Sequence, residues 1–160
     1  MIDIIGVETP EQIEETRRLF REYECLLALD LCFQNFEEEL KNLPGKYAAP
    51  DGRLFLITVG GAVAGCIALR KLEKSVCEMK RLFVRENFRG LNLGKILVGK
   101  LLTEARFIGY EKMRLDTLPE KMPRAVKLYQ SFGFCEITPY YKNPHQETLF
   151  LELDLKKINL

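Results

Sequence analysis

The chain of 160 residues is the length of one domain and long enough to bury a real core; 47% hydrophobic and 29% charged residues are ordinary for a soluble globular protein. Lys and Arg (24) nearly balance Asp and Glu (23), so there is no basic field to recruit nucleic acid, and no apolar run approaches the roughly 18 residues of a membrane span. Five cysteines without C-x-x-C spacing and one histidine argue against a Cys/His metal site and a Cys–His nucleophilic pair, so Cys25, Cys32, Cys66, Cys77 and Cys135 read as reduced thiols of a cytoplasmic protein that needs no metal.

In chain order, Ile2 to Val7 reads as a first strand. Thr9-Pro10-Glu11-Gln12 is a capping box with Pro at the first helical position, and the helix it starts carries Ile13, Phe20, Tyr23 and Leu27 at helical spacing. A second, shorter helix is predicted over Phe33 to Leu40, ended by Leu43-Pro44-Gly45, with a loop over Lys46 to Gly52. Arg53 to Val59 and Ala62 to Lys71 flank Gly60-Gly61, a two-residue hairpin signal, and Val76 to Val84 extends the meander. Gly94 to Ile108 presents one continuous apolar helical face and stops at Gly109. Lys112 to Asp116 is a short strand, and Ala125 to Phe132 a helix closed by Gly133. Phe134 to Thr138 and Thr148 to Leu155 are the last strands, joined by a loop with Pro139 and Pro144. The order βααβββαβαββ describes one mixed α/β domain over 1–160.

The most informative stretch runs from the strand Cys77-Glu78-Met79-Lys80-Arg81-Leu82-Phe83-Val84 into Arg89-Gly90-Leu91-Asn92-Leu93-Gly94-Lys95 and a helix. Such a turn leaves bare backbone N–H groups at a helix N-terminus, which suits a pyrophosphate. A P-loop is excluded because only three residues separate Gly90 from Gly94 and Ile96 follows Lys95; a Rossmann G-x-G-x-x-G is absent. The same glycines also suit a plain strand-to-helix turn, with Lys95 a surface lysine. Later, Ala125-Val126-Lys127-Leu128-Tyr129-Gln130-Ser131-Phe132-Gly133-Phe134 repeats the helix-then-strand logic and brings in a tyrosine.

In this order the two stretches resemble the GNAT (Gcn5-related N-acetyltransferase) superfamily of acetyl-CoA-dependent enzymes. Arg89 and Gly94 match its R/Q-x-x-G-x-G/A pattern, and Asn92 stands where the first Gly usually sits. Asn is the non-Gly residue most tolerant of positive φ, so the loop can keep its shape. Ala125, Leu128, Tyr129, Gly133 and Phe134 match A-x-x-[LF]-Y-x-x-x-G-F, while Met122 replaces a common Asn. Leu43-Pro44-Gly45-x-Tyr47, Leu115-Asp116-Thr117-Leu118 and Pro139-Tyr140-Tyr141-x-Asn143-Pro144 look like a bacterial-type branch of the superfamily.

The resemblance implies a mostly antiparallel sheet flanked by helices, with acetyl-CoA as co-substrate and no metal. It puts the loop Arg89, Gly90, Leu91, Asn92, Leu93, Gly94 and Lys95 on the pyrophosphate. It also implies a bulge and splay at Leu82, Phe83 and Val84, whose N–H groups face the thioester and pantetheine. Glu78 takes the place of the carboxylate that removes the acceptor's proton through water, with a pKa raised by partial burial. Tyr129 takes that of the acid beside the CoA sulfur. Glu78 also reads as a strand carboxylate paired with Lys80 or Arg81, and Tyr129 as a core tyrosine with its hydroxyl satisfied. Acceptor-side segments offer Gln34, Glu37, Tyr47, Tyr140, Tyr141 and His145, the last expected in a solvent-exposed turn. Arg53, Arg70, Lys80 and Arg81 suit either a small carboxylate-bearing acceptor or surface ion pairs. The implied function is acetyl transfer to a primary amine of a small molecule or peptide by direct attack in a ternary complex, with no nucleic-acid or membrane partner and a homodimer left open. A hydroxyl acceptor or a longer acyl chain is the variant within that class. A non-catalytic acyl-CoA sensor is the alternative.

Overall fold

Strands β2 (Arg53–Val59) and β3 (Ala62–Glu73) are apolar on both sides because both sides are covered. Leu54, Leu56, Cys66 and Ala68 pack into one cluster with Leu19, Phe20 and Phe36, from helices α1 (Pro10–Leu27) and α2 (Phe36–Lys41). Phe55, Ile57, Ile67 and Leu69 pack into a second with Leu97, Leu101 and Leu102 of α3 (Leu93–Ile108). The period-2 alternation of the strands thus sorts one apolar sequence into two cores.

The computed structural model describes residues 1–28, 31 and 35–160. The remaining elements are β1 (Ile2–Gly6), β4 (Val76–Val84), β5 (Lys112–Thr117), α4 (Pro123–Phe132), β6 (Cys135–Glu136) and β7 (Leu149–Asp154). They form one seven-stranded sheet in the order β1-β2-β3-β4-β5-β7-β6, antiparallel except for β4 and β5. The predicted element order and the mostly antiparallel α/β sheet are as observed. Thr9 caps α1 through the capping box, and the two hairpin glycines take φ of +58° and +85°, as a primed turn requires. Among the described residues no helix is long and apolar enough to cross a membrane.

Some boundaries differ. The start of the predicted second helix, Phe33 and Gln34, lies outside the described residues, as does Cys32; α2 itself begins at Phe36 and ends at Lys41. The strand predicted over Phe134 to Thr138 is in strand register only at Cys135 and Glu136, with one further backbone bond from the Ile137 N–H to the Phe150 carbonyl. The chain leaves the ladder ahead of Pro139, because the following tyrosines turn inward.

Two irregularities of β4 position everything that follows. Cys66 pairs with Phe83 and Ala68 with Lys80, so Arg81 and Leu82 together oppose the single residue Ile67, a β-bulge. Pairing with β5 is confined to Val76–Glu78 against Lys112–Arg114. Beyond Glu78 the two parallel strands part, and those N–H groups of Met79–Val84 that point away from β3 meet no ladder partner.

Candidate active site

Arg81 sits at the bulge with φ of +61°, a left-handed conformation that costs a non-glycine residue about 1–2 kcal/mol. Its buried guanidinium is held by Glu39, with Nε donating to Oε2 at 2.8 Å and Nη2 to Oε1 at 2.9 Å, and lies over the Phe36 ring. The two charge-assisted hydrogen bonds satisfy the buried cation and tie the bulge to α2.

Next to the bulge, at the N-terminus of α3, lies a cleft of about 570 Å³. Of the residues expected on the cofactor, Leu82, Phe83, Val84, Arg89, Gly90, Asn92, Leu93, Gly94 and Lys95 line it, whereas Leu91 does not and is exposed. Asn92 adopts φ of +59° as the N-cap of α3, so it keeps the loop shape a glycine would give. Its side chain makes no capping bond, which leaves the first N–H groups of α3 without a side-chain acceptor. A Cβ on Gly94 would stand 3.3 Å from Leu128 Cδ2, so a side chain there would press on the tip of Leu128 from α4. Bare amides at a helix N-terminus beside Arg89 and Lys95 fit a pyrophosphate, and apolar Phe88, Met122 and Leu128 fit a pantetheine arm. Phe88 and the start of α4 were not anticipated as cleft residues; Met122, singled out as a departure from pattern, was the nearest signal.

Where β4 and β5 part there is a small cavity of about 30 Å³, lined by Leu82, Asp116, Met122 and Tyr129 among others. Tyr129 is buried and packs edge-to-face on Phe134. Its hydroxyl makes no hydrogen bond to a described residue, and burial holds its pKa well above the ordinary tyrosine value. It is therefore a protonated donor facing the gap.

A third cavity, of about 670 Å³, lies beneath α2 and the 3₁₀ turn Gly45–Tyr47. The β3–β4 register puts Arg70 opposite Glu78 and Ala68 opposite Lys80, which places all four on the α1/α2 face. Glu78 is 1% exposed; Oε1 accepts from Arg70 Nε at 2.8 Å and Oε2 from the Tyr140 hydroxyl at 2.5 Å. The expectation that burial raises the Glu78 pKa is corrected. Burial does push it up, but Lys80, Arg70 and the Tyr140 hydrogen bond outweigh that and hold it below the ordinary carboxylate value. Its direct partners are thus Arg70 and Tyr140, not Lys80 or Arg81. Burial and the neighbouring Arg81 lower the Lys80 pKa, against Glu78 and Asp116.

The other acceptor-side residues separate. Tyr47 and Tyr141 line the third cavity, with the Tyr141 hydroxyl donating to Asp116 Oδ2 at 2.6 Å. Tyr140 and Tyr141 both pack edge-to-face on Phe150. Glu37 is engaged by Arg21, and Gln34 lies outside the described residues. His145 is half-buried against a separate small cavity, not solvent-exposed in an open turn, and its N–H donates to Asn143 Oδ1. Arg53 is bound to Glu104 and two backbone carbonyls, and Arg81 to Glu39, so of the four basic strand residues only Arg70 and Lys80 line the cavity.

A model of the acetyltransferase (GNAT) family matches residues 13–134. The chain belongs to the GNAT family. An uncharacterized N-acetyltransferase of Schizosaccharomyces pombe is 39% identical over 98% of this chain and 96% of its own. A GNAT acetyltransferase of Staphylococcus aureus has the same fold, with a TM-score of 0.80 at 22% identity over 97% of this chain and 99% of its own. A Salmonella typhimurium structure solved with its cofactor acetyl-CoA aligns with a TM-score of 0.68 at 16% identity, over 98% of this chain and 95% of its own. This GNAT chain is accordingly an acyltransferase of the N-acetyltransferase kind, from a family that uses acetyl-CoA.

Proposed function

We propose that this chain moves an acetyl group from acetyl-CoA to a primary amine of a small molecule or peptide, by direct attack with both molecules bound. The observation that carries the reading is that the three cavities adjoin through shared lining residues. The cleft and the gap share Leu82 and Met122, and the gap and the chamber beneath α2 share Lys80. Acetyl-CoA, when bound, supplies the activated thioester. The loop Arg89–Lys95 holds the pyrophosphate end on main-chain amides. The unpaired N–H groups of β4 are donors for a carbonyl oxygen that gains charge as the amine attacks. Tyr129 holds its proton on Oη toward the gap and donates it to the departing sulfur. Glu78, ionised at neutral pH, lines the chamber and takes the amine's proton as the new C–N bond forms. Because its pKa is low, it serves a nitrogen already made acidic by attack and does not strip a free ammonium.

An amine-library screen that reads free CoA tests this. Release of CoA with a subset of amines, without added metal, is the expected result. Acetyl-CoA binding with no turnover on any amine would leave the chain an acyl-CoA sensor.

A further inference from the structure

The chamber beneath α2 has an uneven supply of hydrogen-bonding capacity. Each oxygen of its two deep carboxylates already accepts one hydrogen bond. Both oxygens of Glu39 accept from Arg81, and those of Glu78 accept from Arg70 and Tyr140. Arg70 is the reverse case. Glu78 pins its guanidinium at Nε, and neither Nη1 nor Nη2 makes a hydrogen bond to a described residue. Its side chain is 27% exposed and lines the cavity. Lys80, a second cation on the same sheet face, lines both the chamber and the gap toward the cleft. At the rim, exposed Glu38 and Lys46 offset one another.

A cationic acceptor entering here finds floor carboxylates whose oxygens are each already engaged by one donor, while an anionic one finds a guanidinium fixed at one nitrogen with two donors left. Guanidinium–carboxylate pairing is bidentate and directional, so a pinned fork is a receptor rather than a diffuse charge. At the other end of the path, Asp116 of β5 lines the gap, its Oδ2 held by Tyr141. The chamber is therefore polar along its length: a cationic fork within it and a carboxylate at the gap, which orients a molecule that carries both an ammonium and a carboxylate.

We propose that the acceptor is a primary amine that also bears a carboxylate, of the amino-acid type, with the carboxylate on Nη1 and Nη2 of Arg70 and the amine toward the gap. Arg70 is then the specificity residue. This rests on the reading of the chamber as the acceptor site.

The test compares amino acids with their own carboxamides, and with diamines, by CoA release in wild type, Arg70→Gln and Arg70→Lys. Wild type should prefer the best acid over its amide by roughly tenfold to a hundredfold in kcat/KM, the value of one or two charge-assisted bonds. Arg70→Gln should abolish that preference by raising KM for the acid and not for the amide, while any loss in kcat from removing a partner of Glu78 should fall on acid and amide alike. Arg70→Lys keeps the charge without the fork and should retain only part of it. Calorimetric titration of the best acid into wild-type protein with CoA present should show binding that Arg70→Gln weakens by the same factor. Amides or diamines used as well as acids by wild type, or equal losses on acid and amide in both variants, would overturn the proposal while leaving amine acetylation intact. Failure of every amine in wild type would overturn the acetyltransfer reading and this proposal with it.

Discussion

The cleft at the N-terminus of α3 and the chamber beneath α2 have similar volumes, about 570 and 670 Å³, yet they are made of different material. The cleft is built around main-chain features, a splayed strand edge, a loop with left-handed residues at Gly90 and Asn92, and uncapped amides of one helix, with the side chains of Phe88, Met122 and Leu128 beside them. The chamber is side chain: Glu39 from α2, Tyr47 from the 3₁₀ turn, Arg70 from β3, Glu78 and Lys80 from β4, and Tyr141 from the loop before β7. On the proposed reading, one takes a molecule common to the family and the other a molecule particular to this chain. Backbone recognition tolerates changes of residue type that keep the shape, as Asn92 shows. Side-chain recognition does not, and substitutions in the two regions should fail in different ways.

The largest effect is expected in the chamber. Glu78→Gln is isosteric, keeping an acceptor for Arg70 and a partner for Tyr140, so the fold should hold. Loss of the carboxylate should lower kcat by roughly two to four orders of magnitude near neutral pH. The Kd for CoA should stay the same, since Glu78 does not line the cleft. A matching loss of CoA affinity would show that the two regions are not separable. Because the Glu78 pKa lies below its ordinary value, no limb of the wild-type pH–rate profile between about 6 and 9 should belong to it. A rising limb there should instead move with the pKa of the amine supplied.

The same depressed pKa makes a stability statement. A carboxylate whose folded pKa is below its unfolded one contributes stability above the unfolded value, about 4.3, and loses it as pH falls through the folded value. Wild type should therefore have the higher Tm at pH 6, and its margin over Glu78→Gln should shrink as the pH falls toward 3. Calorimetry that found a constant margin would mean that Arg70, Lys80 and Tyr140 do not stabilise the ionised form.

In the cleft, Gly94→Val is the corresponding break. Its Cβ would meet Leu128 at 3.3 Å, and both residues line the cleft, so the added methyls should crowd the pyrophosphate site proposed there. The φ at Gly94 is not in the left-handed range, so helix α3 should form normally. Blocking a phosphate's approach to the loop amides should weaken CoA binding by about a hundredfold, the scale of one or two charge-assisted bonds. Unchanged affinity in a titration would remove the loop from the site.

The difference in material also explains what was legible in the sequence. The loop from Arg89 to Lys95 is contiguous, and its glycines announce a backbone shape, so the cleft could be placed from seven letters. The bulge came only from the resemblance, because Arg81 carries no local signal of a positive φ; its partner, Glu39, is far away in sequence. Arg70 and Glu78 are a register pair, and a one-residue slip would have put them on opposite faces. Tyr140 and Tyr141 were legible as a motif, but their separate carboxylates, Glu78 and Asp116, lie on the two strands that part. Asp116 appeared only as part of a family-like run, without a role. Pattern alone locates a site made of main chain; one made of ion pairs needs the fold.

Tyr129 belongs to neither region, and its substitution should give the smallest loss. It lines the gap between them, so Tyr129→Phe asks whether that gap is chemically active or only packed. The ring's edge-to-face contact with Phe134 survives the change, and no hydrogen bond to a described residue is lost, so Tm should hold. A CoA thiol is more acidic than a phenol and leaves as thiolate without help, so an acid at this point hastens a step that already proceeds. The expected fall in kcat is roughly tenfold to a hundredfold, the low end for a positioned acid. Acceptor KM and CoA affinity should both stay put, because the hydroxyl faces neither binding region. Full kcat under conditions where chemistry limits the rate would make Tyr129 a packing residue and leave the sulfur to solvent. A fall in CoA affinity without a fall in kcat would instead place the hydroxyl on the cofactor's arm, and the gap would then be an extension of the cleft.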